Sequence, residues 1–236
     1  MKSFREVFGN KKVFLAVVHV VDYFQALRNV NLAMRYGADG AFLISHGEVP
    51  DKNLLEIYRT IREERKGHGL QPFWIGVNCL NTIETRVFSK VLPDTDGIWL
   101  DDLGLRRRDP EQRRAKAIRA ARHRSKWEGL LFGGVAFKYQ ERVPYSDIAE
   151  LAKRAREFCD VITTSGEATG KAPEAKKIHL MRNALGDFPL AIASGMTLLN
   201  VKNYLHADCF LVATGVAKSF TELDPKEVEA FAEAIK

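Results

Sequence analysis

ASGMT (193–197) and ATGVAK (213–218) decide the fold of this 236-residue chain. Each of these glycine-containing stretches comes at the end of an apolar run, where a buried strand is expected to end and a helix to begin. In a (β/α)8 barrel, the turns after strands 7 and 8 commonly cradle a phosphate, because exposed backbone N–H groups favour an anion there. The pattern therefore predicts a phosphate site built from Ser194, Gly195, Met196, Thr214, Gly215 and Val216.

Eight apolar runs, each followed by an amphipathic segment, recur along the chain. They are nearly continuous and rich in β-branched residues, which is typical of parallel strands covered on both faces, and helices of about ten to eighteen residues are expected between them. The predicted strands are 13–20, 41–45, 73–79, 97–100, 130–138, 161–164, 190–194 and 210–214. This alternation favours an α/β fold, a single (β/α)8 TIM barrel domain over residues 1–236. A doubly wound open sheet is the alternative, and the lack of an early G-x-G-x-x-G motif counts against its dinucleotide-binding form.

Two helices carry start signals. Asp109-Pro110 and Asp224-Pro225 each combine an N-cap residue with a proline at the first helical position. We therefore expect helices to begin directly after Asp109 and Asp224.

The composition, 46% hydrophobic and 28% charged, is ordinary for a globular protein. The apolar run 13–18 is too short to span a membrane and lacks the features of a signal peptide. Cys79, Cys159 and Cys209 are widely spaced in apolar stretches, which indicates reduced core cysteines. We expect a cytoplasmic protein without a membrane partner.

The net charge of +6 is concentrated in one segment, residues 106–126, which contains eight arginines and two lysines. Such a segment suggests a face for an anionic partner. The alternative is a solvated helix surface, because Ala115, Ile118 and Ala121 form a helical apolar stripe. Aromatic residues are not interleaved with the arginines, so nucleic-acid binding is disfavoured. The sequence leaves a homo-oligomer open.

Polar side chains follow several predicted strands, where barrel enzymes carry their chemistry. The candidate catalytic residues are Lys138, Asp101, His46 and Asn78. For Lys138, alternation along a strand reaching residue 138 places Gly134, Ala136 and Lys138 on the inward face and Val135 and Phe137 on the outward face. A lysine there could bind a phosphate, polarise a carbonyl or form an imine.

Asp101 and Asp102 end the fourth predicted strand, and only one of them is expected to face inward. Asp101 leaves the apolar run first, so we assign it the acid–base role, while a loop-capping role stays open. After strand 6, hydroxyl residues and glycines predict a substrate-binding loop of Thr164, Ser165, Gly166, Thr169 and Gly170. No zinc or serine-hydrolase motif is present, so no cofactor is predicted, although a divalent metal stays open.

Short motifs taken in chain order resemble those of the BtpA family, a branch of the ribulose-phosphate-binding barrels. They are VFGNKKV (7–13) with VVH (17–19), GADG (37–40), GVN (76–78), FKYQ (137–140), TSG (164–166) with TGKAP (169–173), SGMT (194–197) with Asn200, and ATGVAK (213–218). The resemblance implies a barrel with a phosphate site. It implies no particular reaction, because the family is poorly defined chemically and its named member is associated with photosystem I accumulation. His46 stands where the family usually has Asn, and VVDY (20–23) replaces a Pro/Gly-rich turn, which suggests a subgroup with a different substrate.

Together these observations predict an isomerase, lyase or transferase acting on a small phosphorylated metabolite, a phosphosugar or phosphoribosyl compound. The alternative is a non-catalytic, BtpA-like assembly or stability factor that binds a protein partner through residues 106–126.

Overall fold

Eight parallel strands close into a barrel in the computed structural model, which describes residues 2–45, 49–68 and 73–236. The strands β1 to β8 are Val13–Val20, Gly40–Ser45, Trp74–Asn78, Gly97–Leu100, Leu130–Gly134, Val161–Thr164, Leu190–Ala193 and Cys209–Val212. Each strand pairs in parallel with the next, and β1 pairs with β8 to complete the closure. The predicted (β/α)8 barrel is therefore confirmed, and the open sheet is excluded.

Helices cover the outside of the barrel. The α-helices α1 to α8 are Phe4–Phe8, Tyr23–Arg35, Asp51–Gly67, Glu84–Val87, Arg113–Ser125, Tyr145–Ala155, Ala175–Leu185 and Pro225–Ala234. Short 3₁₀ turns at Val201–Tyr204 and Thr214–Val216 follow β7 and β8. The prediction of ten or more helical residues in every unit is wrong after β3, where α4 has four residues, and after β7, where only the 3₁₀ turn is present.

The two predicted helix starts have different outcomes. Asp224 caps α8 as expected, because its side chain accepts hydrogen bonds from the N–H groups of Lys226 and Glu227. Helix α5 begins at Arg113 instead of after Asp109, with Gln112 in the left-handed region at φ 50°. The Asp109 carboxylate still accepts a hydrogen bond from the Arg113 N–H at 2.9 Å, so it braces the turn before the helix.

Strand β5 ends at Gly134, four residues earlier than predicted, because Ala136 adopts a left-handed conformation at φ 48° and turns the chain. Phe137 consequently packs in the cluster inside the barrel, next to Trp99, and does not face outward. The alternation argument for Lys138 is therefore wrong. The residue still reaches the end of the barrel at which the C-terminal ends of the strands and the turns after them lie. We call this end the mouth.

Large aromatic side chains fill the barrel interior. Phe42, Trp74, Trp99 and Phe132 form edge-on and tilted contacts with centroid distances of 5.0–5.8 Å. Trp74 fits because Gly76 and Gly97 carry no side chain, since a Cβ at either would lie 2.3–2.8 Å from its ring or that of Phe42. The lower end is closed by α1, whose Phe4 ring contacts Phe132 at 6.5 Å. The aromatic core and α1 thus fill the lower part of the barrel interior.

The three cysteines are buried and free of disulfides, as predicted. Within the described ranges, no helix combines the length and apolar character that crossing a membrane requires.

Candidate functional site at the barrel mouth

The turns after β7 and β8 contact each other through their backbones. Gly215 lies so close to the first turn that a Cβ at this position would be 1.9 Å from the Met196 carbonyl oxygen. Of the hydrogen bonds found among the described residues, none uses the N–H groups of Gly195, Met196, Thr214 or Gly215. Two adjoining turns at the mouth thus contain four amides without an acceptor among the described residues, and unpaired amides of this kind are what a phosphate cradle uses.

Two of the six predicted phosphate-binding residues form hydrogen bonds within the protein. The Val216 N–H donates to the Ala213 carbonyl at 3.1 Å inside the 3₁₀ turn, so this amide is already used. The Ser194 hydroxyl accepts from the Gly170 N–H at 2.9 Å and lies 3.3 Å from the Ala168 carbonyl oxygen. Ser194 thus ties the loop after β6 to the turn after β7, while the Thr214 side chain stays exposed.

The turn after β7 is strained and braced. Ser194 and Gly195 have φ values of 96° and 70°, a region that costs energy for a residue with a side chain. The Asn200 side chain holds the turn, donating to the Gly195 carbonyl at 2.7 Å and accepting from the Thr197 N–H at 2.9 Å. A Cβ on Gly195 would lie 2.0 Å from the Ala172 nitrogen, so the loop after β6 packs directly against this turn. Strain retained at a mouth turn is typical of a functional site.

Asp101 and Asn78 form a pair at the ends of β4 and β3. The Asn78 side-chain N–H donates to Asp101 Oδ1 at 2.9 Å. Burial raises the pKa of Asp101, and the hydrogen bond from Asn78 and the positive charge of Lys138 only partly oppose this. A carboxyl group whose pKa is raised at the mouth of a barrel is a candidate for proton transfer.

Asp102 turns the other way. Its carboxylate contacts Arg106 at 2.6 Å and Arg114 at 3.1 Å. Burial alone would raise its pKa, but hydrogen bonds from Arg106 and the Gly104 N–H lower it overall. The two adjacent aspartates therefore have opposite environments, and Asp101 is the one at the mouth.

Lys138 reaches the mouth from the turn after β5. Its ammonium lies 3.2 Å from Thr169 Oγ1, and its backbone N–H donates to Ser165 Oγ at 2.8 Å. The Thr169 hydroxyl also contacts the Tyr139 hydroxyl at 3.2 Å. The turn after β5 and the loop after β6 therefore form one connected structure around Lys138.

The remaining predicted loop residues support this connection. Thr164 is buried and its hydroxyl donates to the Ala136 carbonyl at 3.3 Å. A Cβ on Gly166 would lie 2.3 Å from the Lys171 carbonyl oxygen, so the loop folds back on itself there, and Gly170 adopts φ 76°. His46, the fourth predicted catalytic residue, lies outside the described residues.

Sequence reasoning missed Lys177, which holds the two segments together. Its side chain extends from the first turn of α7 and donates to the carbonyls of Ala136 and Ser165, the latter at 2.7 Å. A signal was present, because this first turn contains no acidic residue and places a lysine at the positive end of the helix dipole. Lys176 shares this first turn but is exposed, so the sequence alone does not tell which of the two lysines is engaged.

The lowered pKa of Lys177 predicts how the stability of the fold depends on pH. Burial lowers the pKa of Lys177 to about 8 from 10.5, so the folded chain releases this proton before the unfolded chain does. The stabilisation from this shift is complete above pH 10.5 and is lost as the pH falls through 8. We expect the free energy of unfolding of the wild type, relative to Lys177→Met, to rise by roughly 2–3 kcal/mol from pH 8 to 10.5. Denaturant titrations at several pH values measure this, with Lys176→Met as the exposed control, and a difference independent of pH would contradict it.

The basic segment 106–126 is largely paired with acidic side chains. Six of its eight arginines lie within 4.0 Å of a carboxylate: Arg106, Arg107, Arg113, Arg114, Arg119 and Arg122. Paired cations leave less charge for an external anion. Partner binding through this face stays a prediction without support from the geometry.

No group of three or more His, Cys, Asp or Glu side chains that could hold a metal ion occurs in ranges 2–45, 49–68 and 73–236.

A closed barrel of eight parallel strands, with helices on its outside and its last two turns in contact at the mouth, defines the class of fold: a (β/α)8 TIM barrel. The chain belongs to the BtpA family, whose sequence profile matches residues 113–236, just over half of its length. No curated protein gives a significant match.

Solved structures with this fold include three enzymes. The (S)-3-O-geranylgeranylglyceryl phosphate synthase from Thermoplasma acidophilum, in complex with sn-glycerol-1-phosphate, matches with a TM-score of 0.69 and 16% identity over 100% of this chain and 99% of its own. Phosphoribosyl anthranilate isomerase from Thermus thermophilus matches with a TM-score of 0.61 and 14% identity over 94% and 97%. Thiamine phosphate pyrophosphorylase from Pyrococcus furiosus matches with a TM-score of 0.61 and 16% identity over 96% of both chains. At these identities the likeness establishes the shared fold.

Proposed function

We propose that this protein is an enzyme acting on a small phosphorylated metabolite, a phosphosugar or phosphoribosyl compound, as an isomerase, lyase or transferase. The observation that carries the proposal is the backbone contact between Gly215 and Met196, which joins the turns after β7 and β8 on the same face as Asp101 and Lys138. The names of the structural neighbours support the substrate class, because geranylgeranylglyceryl phosphate, a phosphoribosyl compound and thiamine phosphate are all phosphorylated.

The phosphate would bind to the free N–H groups of Gly195, Met196, Thr214 and Gly215, with the exposed Thr214 hydroxyl adding a further donor. Met196 would contribute only its backbone, because its side chain is buried in the outer core. Such a site favours an anion through oriented dipoles and needs no cationic side chain at the phosphate itself.

Asp101 would transfer a proton at the substrate carbon skeleton, and Lys138 would stabilise the negative charge that develops on oxygen in the transition state. Asn78 would orient the Asp101 carboxyl through its 2.9 Å hydrogen bond. The loop 164–170 would cover the sugar, since it connects the β5 turn to the β7 turn through Thr169 and Ser194.

Thermal unfolding with inorganic phosphate and with paired compounds, each phosphorylated metabolite beside its dephosphorylated parent, tests the proposal. A ligand at 100 times its Kd stabilises the folded state by about 2.7 kcal/mol, which for a chain of this size raises the unfolding midpoint by about 5–10 °C. We expect stabilisation by phosphorylated members only. If no phosphorylated compound stabilises the protein more than its parent does, the proposal fails.

A further inference from the structure

Two buried polar atoms inside the barrel have no hydrogen-bond partner among the described residues: Trp99 Nε1 and Thr163 Oγ1. Trp99 is 5% exposed and Thr163 is 0% exposed. Both face the barrel axis, since Trp99 belongs to the interior cluster and Thr163 follows the outward-facing Ile162. Buried polar groups are almost always paired, and an unpaired one destabilises the fold. Two such groups in one interior require an explanation.

The two side chains lie at the same level of the barrel. Trp99 pairs with Phe132, and Phe132 pairs with Val161 on the next strand. Strand tilt in an eight-stranded barrel of this kind shifts the level by about one residue per strand, so Thr163 is level with Trp99. The inward residues just above them on β5 and β7 are Gly134 and Ala193, whose side chains are absent or small, and the space beside Gly134 is taken by the Asp101 backbone, whose carbonyl oxygen would lie 1.9 Å from a Cβ there.

Phe137 covers this place from the mouth side. Its ring lies 6.1 Å from that of Trp99 and is inserted by the turn after β5, in which Ala136 and Tyr139 have φ values of 48° and 61°. Hydrogen bonds to the Ala136 carbonyl hold this turn, so displacement of the Phe137 ring would be a change of side-chain rotamer. A ligand that displaces the Phe137 ring would reach the level of the barrel at which Trp99 and Thr163 lie.

We propose that Trp99 and Thr163 form the inner end of the substrate site and bind an uncharged oxygen, a hydroxyl or a carbonyl, at the end of the substrate remote from its phosphate. The indole N–H can only donate and the threonine hydroxyl can donate or accept, so an oxygen with free lone pairs satisfies both. Asp101, which lies above this level at the end of β4, would repel a carboxylate in that position. The inference rests on the proposed phosphate site and adds to it the chemical class of the substrate's other end.

Binding of three probes, inorganic phosphate, ribose 5-phosphate and 3-phosphoglycerate, tests the inference by calorimetry. We expect ribose 5-phosphate to bind more tightly than inorganic phosphate, and 3-phosphoglycerate, with its terminal carboxylate, to gain nothing. Thr163→Val keeps the side-chain shape and removes the hydroxyl, so it should weaken ribose 5-phosphate about 3- to 10-fold and change inorganic phosphate less than about twofold. Thr163→Ser, which retains the hydroxyl, should keep the preference.

The unfolding midpoint provides a second test, because Thr163→Val is expected to weaken ligand binding but to stabilise the fold. Because Thr163→Val removes an unpaired buried hydroxyl, its unfolding midpoint should rise, whereas Thr60→Val, which loses a paired hydroxyl on helix α3 away from the mouth, should not raise it and should keep the ligand preference. Ribose 5-phosphate, unlike inorganic phosphate, should also change the tryptophan emission, and Trp99→Phe should abolish that change.

The failures are distinguishable. If the wild type binds inorganic phosphate but ribose 5-phosphate no better, or if Thr163→Val weakens both equally, the inner site is refuted and the proposed function stands. A lower unfolding midpoint for Thr163→Val with an unchanged preference would mean that Thr163 serves the fold alone. If the wild type binds none of the three, the proposed function and this inference fall together.

Discussion

Gly215→Ala is expected to abolish phosphate binding and to lower the free energy of unfolding by about 2–3 kcal/mol. The new Cβ would lie 1.9 Å from the Met196 carbonyl oxygen, so the turns after β7 and β8 must separate to accept it. Because the neighbouring atoms are backbone and not a flexible side chain, the strain cannot be relieved by a rotamer change. Separating the turns moves the amides of Gly195 and Met196 away from those of Thr214 and Gly215. Titration with inorganic phosphate by calorimetry, beside denaturant unfolding, measures both effects.

Gly67→Ala is the matched control, because a Cβ at Gly67 meets nothing within 4 Å. It should leave phosphate binding unchanged and the stability equal or slightly higher. A second variant covers the case in which Gly215→Ala fails to fold: Asn200→Ala adds no atoms and removes the brace of the β7 turn. It should fold with about 1–2 kcal/mol less stability and bind phosphate more weakly. Normal phosphate affinity in Asn200→Ala and in a folded Gly215→Ala would show that these turns do not form the site.

The strands were predictable because their physical signature is local. Val13–Val20, Gly97–Leu100 and Val161–Thr164 coincide with the predicted bounds, since each is an apolar run with a sharp polar or glycine boundary. The end of β5 was not predictable, because the run from Gly133 to Phe137 stays apolar through the turn. Only the backbone conformation of Ala136 ends that strand, and periodicity carries no information about it.

The candidate site was predictable as a set of positions and less so as a set of contacts. Strand ends of parallel strands meet at one edge, which is why Asn78 and Asp101 lie together although 23 residues separate them. The difference between Asp101 and Asp102 depends on Arg106 and Arg114, whose approach is a result of tertiary packing. The unpaired atoms of Trp99 and Thr163 could not be predicted for the same reason, because only the folded chain shows which buried polar groups lack a hydrogen-bond partner.

Asp101→Asn is expected to lower turnover of the phosphorylated substrate by about 10²- to 10⁴-fold, the usual contribution of general acid–base catalysis. The same change should stabilise the folded chain at pH 7, by about 1 kcal/mol, as removal of a costly functional group commonly does. Burial raises the pKa of Asp101, so its favourable contribution is present only at low pH, where it is protonated, and is lost as the pH rises through the folded pKa. The stability gain of Asp101→Asn should therefore shrink as the pH falls toward 4.

Asp102→Asn provides the control at the adjacent position with the opposite sign. It breaks the contacts with Arg106 and Arg114. Because the pKa of Asp102 is lowered overall, loss of this carboxylate should lower the free energy of unfolding by about 1 kcal/mol at pH 7 and by less in acid. Turnover should stay within about twofold, since Asp102 faces away from the mouth. Kinetics with the phosphorylated compound that gives the largest thermal shift, beside unfolding at pH 4 and 7, measure the pair. Equal turnover in the wild type and Asp101→Asn would remove this carboxyl from the mechanism. A loss of stability in Asp101→Asn at pH 7 would mean that the charge of Asp101 supports the fold, because a buried carboxylate kept only for structure must be compensated by its surroundings.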